Sequence, residues 1–182
     1  MVAALLMSVA PTTKMQKVID HAKWQATQDV TYDGSYRQLK YPNGDVPPEI
    51  GVCTDVIIRA YRSIDIDLQK LIHEDMLVNK AEYDKRRFSK IVDSNIDHRR
   101  TPNMQTFFTR QGAKQPITTN GKDYLPGDIV FWKVADGHVG IVIDEKVLGT
   151  DRYYIVHNIG SGPQVVDYLF EATIVDHYRW NP

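Results

Sequence analysis

The chain reads as an α+β protein, with N-terminal helices packed on a C-terminal antiparallel β-sheet, on three observations. Apolar residues recur at helical spacing up to about residue 112. From residue 124 the texture changes to short β-branched and aromatic runs, separated by turns carrying Gly, Asp and Pro. A length of 182 residues suits one domain with a sizeable core, and no repeat, low-complexity tract or interdomain linker divides it. The expected single domain is residues 11–182.

A first helix opens at Thr13, whose hydroxyl is placed to cap the first turn, with Gln16 three residues on. Met15, Val18, Ile19, Ala22 and Ala26 make its apolar face. Residues 30–41 are Tyr-rich and extended or looped, and Pro42-Asn43-Gly44-Asp45-Val46-Pro47-Pro48 is turn chemistry. A second helix starts near Cys53 and buries Val56, Ile57, Ala60, Tyr61 and Ile64; a third runs from about Asp67 through Leu68, Leu71, Ile72 and Met76. Residues 79–100, with Lys85-Arg86-Arg87 and His98-Arg99-Arg100, read as a solvated, irregular crossover. Thr101-Pro102 starts a further helix that stops at Gly112. The expected strands are 129–134, 139–143, 153–159 and 165–169.

Lys plus Arg number 22 against 23 for Asp plus Glu, a net charge of -1, so nothing steers the protein toward nucleic acid or an anionic membrane. Residues 1–10 form an apolar run too short to span a bilayer. It is closed by Ser8-Val9-Ala10, a small-x-small pattern that reads as a signal-peptide remnant. The expected location is therefore the periplasm or another exported compartment, without stable membrane insertion. Cys53 is the sole cysteine, which excludes an intramolecular disulfide and a Cys-rich zinc site. His138 and His157 lack the close spacing of zinc motifs, so neither a metal nor a cofactor is expected.

Three residue types in order suggest thiol chemistry. Cys53 follows the turn Gly51-Val52 and begins an amphipathic helix, where unpaired backbone N–H groups favour a thiolate. His138 begins a strand with Val139, Ile141 and Ile143 on one face and His138, Gly140 and Val142 on the other. Gly140 leaves room for another backbone or a helix terminus, and there a helix-borne thiol is expected to dock. The next strand carries His157 and Asn158 on opposite faces, so only one can orient the His138 ring. Alternation alone leaves both open.

Gly51-Val52-Cys53-Thr54-Asp55, Leu125-Pro126-Gly127-Asp128-Ile129-Val130-Phe131 and Gly137-His138-Val139-Gly140-Ile141-Val142 resemble the NlpC/p60 group of papain-like cysteine peptidases. The resemblance implies a papain-like NlpC/p60 fold, with Cys53 as nucleophile, His138 as base and His157 as the orienting residue. It departs from that pattern at Val52 and Thr54-Asp55, where the group usually has Asp before the cysteine and Ser-Gly after it. A closer resemblance is to the YijF-like family of bacterial exported proteins, a domain of unknown function. It is carried by residues 41–47, His73-Glu74-Asp75-Met76, residues 95–100, Pro102-Asn103 and His157-Asn158-Ile159-Gly160, and covers roughly residues 30–178.

An oxyanion would be met by the Cys53 backbone N–H, with Asp55 or a residue of 46–52 as the second donor. Tyr32, Asp33 and Tyr36 are candidates for the substrate cleft, and Arg99 and Arg100 for a substrate carboxylate. The expected activity is an amidase or endopeptidase acting on peptidoglycan stem peptides through a thioester, by a monomer. A non-hydrolytic cell-wall binding module or an acyl transferase on the same fold is the alternative.

Overall fold

A computed structural model describes residues 11–83 and 91–182. The signal-peptide reading of residues 1–10 and the basic run at 85–87 lie outside the described residues. The first helix, α1, spans Thr13–Gln25. Its cap is Thr12, one residue earlier than expected, whose Oγ1 accepts the Met15 N–H at 3.2 Å. Gln16 closes no capping box; its amide reaches Asp20 and Asp144 instead. Met15, Val18, Ile19 and Ala22 are buried, the stripe the spacing predicts.

Two short parallel strands, β1 (Thr31–Tyr32) and β2 (Ile50–Gly51), bracket the Pro-rich turn and deliver the chain to α2 (Cys53–Arg62). Helix α2 buries eight of its ten residues and so is nearly central. Asp67 caps α3 (Leu68–Val78) by accepting the Gln69 N–H, and α4 (Lys80–Tyr83) follows. Around residue 97 the expected solvated crossover is corrected: Asp97, His98 and Arg99 form one buried 3₁₀ turn. Its charges are paired inside, with His73 Nδ1 3.0 Å from Asp97 and Arg99 on Asp55. Helix α5 (Thr101–Arg110) opens with Pro102 in its first turn, as the sequence predicts.

The sheet comprises β3 (Ile129–Trp132), β4 (His138–Lys146), β5 (Tyr153–Asn158), β6 (Pro163–Val166) and β7 (Ile174–Tyr178). All its pairings are antiparallel and the order is β6-β5-β4-β3-β7, which makes β4 central. Strand β7 is not among the expected strands. Two of its five residues, Asp176 and His177, are buried polar groups whose partners, Gln105 and Asp128, lie far away in the chain.

The sheet separates two apolar layers. Ile129, Phe131, Val139, Ile141, Ile143 and Val156 pack with Val18, Ile19, Ile57 and Phe108 on the helical side. Val130, Trp132, Val142, Ile155 and Leu169 form a smaller cluster on the reverse face. This assigns the two faces that alternation along β4 leaves unlabelled.

Candidate active site

Cys53 is the first residue of α2 and is 5% exposed. The backbone N–H groups of Val139, Thr54 and Cys53 itself face its sulfur and favour the thiolate. Burial outweighs them, the Asp55 charge adds to it, and the thiol is pushed up to about 11. The helix N-terminus therefore does not produce a resting thiolate here, contrary to the expectation from its dipole.

The sulfur meets β4 from the helical side, at Val139, and not over Gly140. A Cβ on Gly140 would lie 2.7 Å from Ile155 Cγ2 and 3.0 Å from both His157 Cβ and the Val156 carbonyl oxygen. Gly140 thus lets β5, not a helix, approach β4. That close approach is what sets the histidines together.

His138 Nε2 lies 2.8 Å from His157 Nδ1. Both rings are buried on the reverse face of the sheet, beside Trp132 and Tyr168. Burial lowers His138 to about 3, helped by the neighbouring charge of His157, and lowers His157 to about 4. At neutral pH the pair is uncharged, and one nitrogen of the bonded couple carries the hydrogen. Asn158 points to the other face and donates to the Gly51 carbonyl at 3.2 Å, so its side chain ties β5 to the segment before Cys53. Of the two candidates for orienting His138, His157 is the one in contact.

Cys53 opens onto a cleft of about 410 Å³ walled by Tyr32, Tyr36, Arg100, Thr101, Pro102 and Gly137. Gly137 lines the cleft and the Val139 N–H faces the sulfur. The His138 ring between them in sequence lies on the opposite face of β4, and no hydrogen bond joins it to Cys53 among the described residues. Gly137 adopts φ +120, and a Cβ there would lie 2.4 Å from Thr101 Oγ1. Only glycine lets the start of β4 lie this close to the start of α5.

Three expected roles need correction. Asp55 is no oxyanion donor: its carboxylate accepts the Val52 N–H at 2.7 Å and both Arg99 donors, and its own N–H is bonded to the Val52 carbonyl. Arg99 lines the cleft, but its guanidinium is committed to Asp55 and the Asp33 carbonyl, not presented to a substrate carboxylate. The Asp33 carboxylate turns to Ser35 and Arg37, which hold it well below the usual range, while only its carbonyl faces Arg99. Tyr32, Tyr36 and Arg100 do line the cleft; the Tyr36 hydroxyl bonds Asp93 and Asn95.

Thr101, Pro102, Asp136 and Gly137 line the cleft too, although the sequence marks the first two only as a helix start. A larger cavity, about 540 Å³, lies beside Trp24 and Arg59 and shares no residue with the cleft at Cys53. Among the described residues no group of three His, Cys, Asp or Glu side chains is arranged to hold a metal ion. No helix among them is long and apolar enough to cross a membrane.

The family described as Domain of unknown function (DUF1287) matches residues 19–180. The chain belongs to that family. It is 49% identical over 166 residues to a protein of Escherichia coli (strain K12) named Uncharacterized protein YijF, which covers 90% of this chain and 80% of the relative. The matched span of the DUF1287 family contains Cys53, the histidine pair and every strand of the sheet.

Proposed function

We propose that the protein is an exported cysteine amidase or endopeptidase with a papain-like, NlpC/p60-type site, acting on amide bonds of cell-wall stem peptides. The observation that carries this reading is the 2.8 Å His138–His157 couple on the strand whose next N–H faces the only thiol. With Nε2 of His138 engaged by His157, Nδ1 is the nitrogen that must take the Cys53 proton, which requires the ring at the start of β4 to turn toward the helical face where the sulfur lies.

Both groups start neutral, so the proton moves during attack rather than beforehand. Cys53 Sγ bonds to the substrate carbonyl carbon, its proton passes to His138, and the π pair moves onto oxygen. The Cys53 backbone N–H, at the helix start and beside its own sulfur, is a donor for that oxyanion. Collapse breaks the C–N bond, and the amine leaves with the His138 proton. Water then loses a proton to the ring and cleaves the thioester, restoring the thiol and releasing a carboxylic acid.

Incubation of purified parent and Cys53→Ala with muropeptides, followed by mass spectrometry, tests the proposal. New products are expected from the parent alone; equal product formation by both would end it. The buried thiol favours a second reading, a binding module; an acyl transferase through the same thioester is the alternative to hydrolysis. Saturable muropeptide binding without cleavage supports the former, and turnover raised by an added amine supports the latter.

A further inference from the structure

In the proton transfer proposed above, His138 becomes an imidazolium, yet among the described residues no carboxylate bonds its ring. Among the described residues, the titratable groups beside the two rings are each other and the Tyr168 phenol, itself beside Glu171; the Cys53 thiol lies on the other face of β4. What surrounds the couple is aromatic. The Trp132 ring lies 5.8 Å from His138 and 6.4 Å from His157, and the Tyr168 ring 5.9 Å and 4.3 Å. The two aromatic rings meet each other edge-on at 5.3 Å. Trp132 is fully buried and its Nε1 donates to the Leu169 carbonyl at 3.0 Å, which pins it beside the segment carrying Tyr168.

Resting on the catalytic reading of this site, we infer that Trp132 and Tyr168 form an aromatic box that positions the His138–His157 couple and stabilises its protonated form. They are positioning residues. The ring quadrupoles attract a cation within about 6 Å, and the attraction grows when water is excluded. The contact of Tyr168 with both histidines is made by its ring, so phenylalanine should serve and an aliphatic side chain should not.

The direct measurement is histidine-ring NMR against pH on the substrate-free parent, Tyr168→Phe and Tyr168→Leu. Tyr168→Phe should keep the midpoint of the couple. Tyr168→Leu should lower it by roughly 0.5 to 1 pH unit, the size of a cation–π contact at a half-buried site. A Leu midpoint equal to or above that of the parent would overturn the inference. Tyr168 is only half-buried, so the Leu variant should fold; Tyr168→Met supplies a second aliphatic replacement, judged by the same criterion. On muropeptides, kcat should fall about 5- to 10-fold in Tyr168→Leu with KM unchanged. A shifted midpoint in a protein that cleaves nothing keeps the box and removes the hydrolase. An unshifted midpoint with normal turnover does the reverse.

Discussion

Replacing Arg99 by methionine isolates the ion pair that locks the segment before Cys53 to the buried turn at residue 97. Arg99 and Asp55 side chains are 3% and 4% exposed and meet at 2.9 and 2.8 Å through two parallel bonds. Methionine retains much of the aliphatic stem but leaves Asp55 with one donor in place of three, the Val52 N–H. Each lost bond to a charge is worth about 1.5–3 kcal/mol, and removing one partner of a buried pair typically costs about 3–5 kcal/mol. A loss of about 4 kcal/mol is therefore expected. In a domain of this size that lowers Tm by roughly 8–16 °C.

Adding Asp55→Asn removes the stranded charge while an amide oxygen remains for Val52. The double variant should recover at least about 2 kcal/mol relative to Arg99→Met. Urea denaturation of the parent, both single variants and the double completes the cycle. If Arg99→Met costs less than about 1 kcal/mol, or the double variant is no more stable than it, the pair behaves like a surface contact and the reasoning fails.

Gly140→Ala should push β5 from β4, since its nearest obstacles include the Val156 backbone, and cost roughly 1–3 kcal/mol by thermal denaturation while loosening the His138–His157 couple. His98 is 1% exposed, its Nδ1 has no partner among the described residues, and burial lowers it to about 4. The unfolded chain binds that proton near pH 6.5, so the native state's advantage is complete above pH 6.5 and is lost as pH falls toward 4. The loss should be roughly 3 kcal/mol from this ring, read from urea curves at pH 7.5 and 4, and flat stability across that window would contradict it. With its thiol near 11, Cys53 should react with iodoacetamide at pH 7 at least about tenfold more slowly than a free cysteine; an inflection below pH 7 would mean a stabilised thiolate.

The helical half of the fold is legible in the sequence because each helix buries one face, so Met15, Val18 and Ile19 or Val56, Ile57 and Ala60 repeat at helical spacing. Strand β7 escapes that logic, since Asp176 and His177 are buried through partners more than 45 residues away. The 97–99 turn escapes it for the same reason: a run of charges reads as solvated until Asp55 and His73 are placed opposite it.

Local order along the chain determined that the lone thiol begins a helix and that His138 and His157 stand on successive strands. It also determined that His157 and Asn158 must face opposite ways, since strand alternation is a property of the backbone itself. Which of the two meets His138 was decided only by the β4–β5 register, with Gly140 opposite His157. The burial that keeps thiol and imidazoles neutral came only from the two layers closing over the sheet. Desolvation depends on what surrounds a group from every side, and most of those neighbours are distant in sequence.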